Sequence, residues 1–124
     1  MDKYEIVFKK ALDLLDDAEY NFNGDRYNTS INRSYYAVFY AAKSLLLKKG
    51  VDTRKHTGNI QMFGKEYVVN DNFDKEISRI LSELQEDRSR VDYDFEFNST
   101  KAIAKLDLEN AKKFIEECKK FLWE

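Results

Sequence analysis

Arg88, Arg90, Asp92 and Tyr93 stand close together in the run Asp87-Arg88-Ser89-Arg90-Val91-Asp92-Tyr93-Asp94. Two arginines supply fixed positive charge, the requirement for holding a phosphate or stabilising the charge that develops on it during cleavage. Cutting RNA without a metal also needs a base to take the 2'-hydroxyl proton and an acid for the leaving oxygen. Tyr93 is the candidate for moving that proton, but a phenol with its ordinary pKa of about 10 is a weak base at neutral pH. The aspartates repel a phosphate unless they orient the arginines. By residue type alone the run favours nucleotide binding or dimer contacts over catalysis.

A second constellation is Arg54-Lys55-His56-Thr57-Gly58. Cations, a hydroxyl and free backbone amides at the start of a short helix make a phosphate site. The alternative is that Thr57 caps the helix while the basic residues stay solvated. His56 is the only histidine. It has the right pKa range for a general acid or base near neutral pH, but neither metal-binding companions nor an evident orienting group. No metal site is expected.

Arg33 is a third candidate, in Asn32-Arg33-Ser34-Tyr35-Tyr36-Ala37-Val38-Phe39-Tyr40. An unpaired buried guanidinium is too costly, so Arg33 must snorkel, stack on Tyr36 or Tyr40, or pair with a carboxylate from elsewhere. A paired core arginine and a nucleotide-binding one both fit this position.

The elements that position these residues are helices. Tyr4, Phe8, Ala11, Leu15, Ala18 and Phe22 recur at helical spacing, and Gly24 ends the pattern. Asp25 is the expected cap of a second helix that is apolar over most of its circumference and closes at Lys48-Lys49-Gly50. A short helix follows through Ile60, Phe63, Tyr67 and Val68, until Asn70-Asp71-Asn72 breaks it. The fourth starts near Phe73, and its stripe of Ile77, Ile80, Leu81 and Leu84 leads on to Arg88, which must point inward or into a groove. Asn98 or Ser99 is expected to cap a last helix whose stripe runs through Ile103, Leu106, Ala111, Phe114 and Cys118.

The chain of 124 residues is long enough for one domain, residues 1–124, with its own core. No proline, four glycines and 35% charged residues make a helical composition. The expected fold is all-α, an up-and-down four-helix bundle with an additional short helix between helices 2 and 4. A net charge of −2 gives no global attraction to nucleic acid, so an RNA contact requires a local basic patch. A single cysteine, Cys118, excludes an intramolecular disulfide and a cysteine-built metal site, and fits a reducing cytoplasm. The charged N-terminus lacks a signal-peptide core, and no apolar run is long enough to span a membrane.

Three segments in order, "NRSYYAVFYAAKSLL", "RKHTGNIQMFGKEYV" and "RSRVDYD", resemble the HEPN domain family, in particular its small stand-alone members. The likeness extends over nearly the whole chain. It implies a homodimeric helical bundle with a polar cluster in a cleft at the dimer interface. It also implies a minimal nucleotidyltransferase as partner, in pairs that act as toxin–antitoxin modules in which the HEPN member cuts RNA. The family's nuclease motif is an arginine followed a few residues later by histidine. Arg88 matches the arginine, but Asp92-Tyr93 ends the motif here and no histidine follows His56, so enzymatic activity is left open. By the same resemblance, Tyr93 is the tyrosine that the partner would modify with nucleotide.

The expectation is therefore a cytoplasmic, homodimeric, nucleotide- or RNA-binding protein that needs no cofactor. Its site is expected to use Arg88, Tyr93 and His56 for any chemistry and Arg33, Arg54, Lys55, Arg90 and Asp92 for binding. The rival readings are a metal-independent endoribonuclease toxin and a purely structural dimerisation module.

Overall fold

Five α-helices follow one another in the computed structural model: α1 (Lys3–Asn23), α2 (Tyr27–Lys48), α3 (His56–Phe63), α4 (Lys75–Tyr93) and α5 (Lys101–Leu122). A π-helical segment, Gly64–Val69, continues α3. The structure describes residues 1–123, with the side chains of His56 and Thr57 outside that description. The fold is all-helical, with no strand among the described residues.

α2 is the central element, in contact with α1, α3, α4 and α5. Its buried residues include Tyr35, Val38, Phe39, Leu45 and Leu46, interspersed with Ala37, Ala41 and Ala42, whose short side chains let neighbouring helices come close. Two serines fix how α1 lies against it. Ser30 Oγ donates to the Ala18 carbonyl at 2.8 Å, and Ser44 Oγ donates to the Tyr4 carbonyl at 2.6 Å. The start of α2 thus meets the end of α1 and the reverse, an antiparallel register that fits the expected up-and-down bundle.

The helix ends depart from expectation in instructive ways. Asp25 does not cap α2; it adopts a left-handed φ of 62° and accepts a hydrogen bond from Tyr27 Oη. The Arg26 N–H bonds back to the Asn21 carbonyl to finish α1, which displaces the start of α2 by one residue. Asp74 rather than Phe73 begins α4, its carboxylate accepting the Ile77 N–H at 3.0 Å. Phe73 is buried in an aromatic cluster with Phe63, Phe114 and Phe121. Thr100 caps α5, and Ser99 instead ties to Asn28 in the first turn of α2.

α5 buries Ala111, Phe114 and Cys118 as expected, and departs from the expected stripe only near its start, where Leu106 is 57% exposed and Ala104, Asp107 and Leu108 are buried instead. This end of the stripe places a carboxyl, Asp107, against the core. No helix among the described residues is long and apolar enough to cross a membrane.

Candidate functional site

The inward stripe of α4 delivers Arg88 to the face of α2, where it is only 7% exposed. Its guanidinium carbon lies 4.9 Å from the ring centre of Tyr35, 5.5 Å from that of Tyr36 and 5.9 Å from that of Tyr93. A cation held against aromatic faces recovers part of the hydration it loses on burial. One helical turn on, the Asp92 carboxylate stands 3.6 Å from Arg88 Nη1.

α2 closes this centre from the other side. Asn32 Nδ2 donates to both carboxylate oxygens of Asp92, at 3.2 and 3.1 Å, and Asn32 Oδ1 accepts from Arg33 Nη1 at 2.6 Å. The result is a continuous polar chain, Arg33 to Asn32 to Asp92 to Arg88, joining the two helices. Of the three possibilities given for Arg33, stacking on Tyr36 or Tyr40 and pairing with a carboxylate are not found among the described residues, and its half-buried side chain at the groove edge fits the third, snorkelling; the stacking arginine is Arg88. Beside the chain, a groove of about 310 Å³ opens between Asn28, Thr29, Asn32, Arg33, Val91 and Asp92.

Electrostatics keep the centre cationic. Burial works against the charge on Arg88, but Tyr36, Tyr35, Asp92 and Tyr93 outweigh it and its pKa stands above the usual arginine value. Burial pushes the Tyr35 phenol up to about 12, with the Arg88 charge and hydrogen bond pulling the other way. Tyr35 is consequently no base at neutral pH. The arrangement suits holding negative charge more than moving protons.

Tyr93, whose ring borders the centre, is the last residue of α4 and 72% exposed. Arg90, two residues past Arg88 and so on another face of the helix, turns to Glu86 at 3.3 Å. Arg54 and Lys55 are exposed on the segment before α3. That segment is tied to α2 where Lys43 Nζ donates to the Thr53 carbonyl at 3.2 Å. The roles suggested for the His56 and Thr57 side chains lie outside the described residues.

One group escaped the sequence reading. Asp107 of α5 is 2% exposed and lies beside Asp87 of α4, the residue just before Arg88, with its Oδ2 buried and without a hydrogen-bond partner among the described residues. Burial first, then the neighbouring Asp87 and the charge of Glu83, push its carboxyl up to about 8. At neutral pH it is largely a neutral acid. The signal was present in the spacing: Ala104, Asp107, Leu108 and Ala111 share one helical face.

Comparison with known proteins supplies the family. The HEPN domain model matches residues 4–121. A protein of Methanocaldococcus jannaschii, provisionally named a toxin, is 32% identical over 118 residues, covering 95% of this chain and 80% of that protein. A second M. jannaschii protein, also provisionally named a toxin, is 33% identical over 124 residues, 99% of this chain and 91% of its own. A "UPF0332 protein" of Thermotoga maritima is 32% identical over 114 residues, 92% of this chain and 81% of that one. With the match spanning all five helices, the chain belongs to the HEPN domain family.

Proposed function

We propose that this HEPN protein is the nucleotide- or RNA-binding member of a toxin–antitoxin type pair, acting as a homodimer with a nucleotidyltransferase partner. The observation that carries the reading is the Arg88 centre: a buried cation ringed by tyrosines, linked through Asp92 and Asn32 to Arg33 at the edge of a polar groove. Arg33 receives a phosphate first. The phosphate then reaches Arg88 by taking the place of Asp92, exchanging one anionic acceptor for another. Arg90, Arg54 and Lys55 are outlying cations that strengthen the approach of a polyanion. Tyr93, exposed beside the centre, is the residue the partner modifies.

The second reading is a metal-independent endoribonuclease, with which the provisional toxin names of the M. jannaschii relatives are equally compatible. In it Arg88 stabilises the phosphate and Tyr93 or His56 moves the protons. Incubating wild type and Arg88→Ala with total RNA in EDTA separates the two, with each mixture run on native and denaturing gels. Retained, uncut RNA with wild type alone supports the binding role. Cleavage by wild type alone moves the protein to the second reading, and no retention or cleavage contradicts both. Light scattering on the same sample reads twice the 14.7 kDa of one chain for the homodimer and 14.7 kDa if that part is wrong.

A further inference from the structure

The groove beside Arg33 does not end there. A second depression, of about 430 Å³, lies between Arg26, Tyr27, Asn28, Thr29, Asn98 and Ser99, and the two share Asn28 and Thr29 as a common wall. The two depressions therefore adjoin at Asn28 and Thr29, and together they line a polar channel along the surface from Asp92 over the first two turns of α2 to the turn that joins α1 and α2.

We propose that this channel is a second subsite, which carries the sugar-phosphate backbone of single-stranded RNA away from the Arg88 centre with Arg26 and Arg33 as its phosphate contacts. The inference rests on the RNA-binding reading above and extends it to residues outside the centre. Arg26, Thr29 and Arg33 follow one another at three- and four-residue steps, so they share a face of the chain as it enters α2. The two arginines are two turns apart, roughly 10 Å along the axis, and serve two different phosphates.

Their charges are not consumed within the protein. Neither Arg26 nor Arg33 has a carboxylate partner among the described residues. The two acids on the channel walls are already engaged, Asp25 by Tyr27 Oη at 2.9 Å and Asp92 by Arg88 and Asn32. The walls are otherwise amides and hydroxyls. Ser99 donates to Asn28 Oδ1 from both its N–H and its Oγ, at 3.1 and 2.6 Å, which fixes the Asn28 amide as a rigid part of the wall. A protein partner would need an apolar centre, which this channel lacks; a strand of phosphates and sugars is read by cations, amides and hydroxyls such as these. Tyr93, exposed next to Asp92, stands where a base of the same strand would stack.

The test is a fluorescence-anisotropy titration of two labelled single-stranded RNAs, a dinucleotide and one of about 12 nucleotides, the size range of a short single-strand site. Each is measured across a series of salt concentrations with wild type, Arg26→Ala, Arg26→Lys and Arg88→Ala. Arg26 is exposed and its side chain makes no capping hydrogen bond, so its replacement leaves the fold intact, as circular dichroism verifies. Arg26→Ala is expected to weaken the long RNA roughly threefold to tenfold and to lower its salt slope by about 0.7. It leaves dinucleotide binding unchanged, and Arg26→Lys restores the slope. If Arg26→Ala binds the long RNA with wild-type affinity and slope while Arg88→Ala weakens both RNAs, the channel is overturned and the Arg88 centre stands. If wild type binds neither RNA, the binding reading falls and the channel with it.

Discussion

Arg88 and Asp92, one turn apart on α4, hold each other at 3.6 Å, and Asn32 of α2 grips the same carboxylate through both of its oxygens. Asp92 thus occupies the place of an anion between a cation and an amide donor. On the function proposed above, a phosphate oxygen takes this acceptor position; without it, the pair is a helix-to-helix tie.

Asp92→Asn removes the competing negative charge while keeping the shape and much of the hydrogen bonding with Asn32. RNA affinity is expected to rise, by about threefold to tenfold, which corresponds to roughly 1 kcal/mol. A filter-binding titration at fixed salt checks it. Unchanged or weaker binding would show that Asp92 orients the site and does not mimic the ligand.

Arg88→Ala deletes a buried side chain and leaves Asp92 without its ion-pair partner. Because Asp92 is partly reached by solvent, the expected loss is about 2 kcal/mol, below that of a fully buried pair. Arg88→Lys retains the charge but loses the flat guanidinium that lies against Tyr35 and Tyr36, for about 1 kcal/mol. Urea denaturation measures both. A negligible change for alanine would mean that the tyrosine cage gains nothing from the cation.

Asp107 makes stability depend on pH in a direction opposite to most acidic groups. Its carboxyl stands at about 8 in the fold against an ordinary 3.8. Between those values the folded protein holds a proton that the unfolded chain has released. The stability contributed is fully present below about pH 4 and is lost as the pH rises through about 8. Asp107→Asn, which stays neutral, removes this loss. The difference in Tm between Asp107→Asn and wild type should therefore grow from about pH 4 to pH 8 and level off above it. A difference that is constant with pH would place the Asp107 carboxyl in its ordinary range.

Much of this was legible beforehand. The inward position of Arg88 followed from its spacing after Leu84, since a helix that buries Ile80, Leu81 and Leu84 must also bury the residue four positions on. What periodicity does not carry is a partner on another helix. That Asn32 meets Asp92, that Arg88 rather than Arg33 stacks on Tyr35 and Tyr36, and that Asp107 meets Asp87 all depend on how α2, α4 and α5 face each other. The cap shifts at Arg26, Asp74 and Thr100 have a local cause: several polar residues stand in a row at each boundary, and hydrogen bonds back to the preceding turn decide among them.

Tyr93 is exposed beside the centre, and the modification proposed for it is open to direct observation. Incubation with the proposed nucleotidyltransferase partner, ATP and magnesium should add the mass of a nucleotide to wild type and nothing to Tyr93→Phe. A mass increase that persists in Tyr93→Phe would move the modified residue elsewhere.

The account turns on whether Arg88 binds RNA. The decisive measurement is the affinity of a labelled single-stranded RNA for wild type, Arg88→Lys and Arg88→Ala, each first shown to be folded by circular dichroism. The account predicts measurable binding by wild type, a weaker Arg88→Lys and at least a tenfold loss in Arg88→Ala, the equivalent of about 1.4 kcal/mol. Equal affinities across the three folded proteins would contradict it and leave the Arg88 centre as a structural tie between α2 and α4.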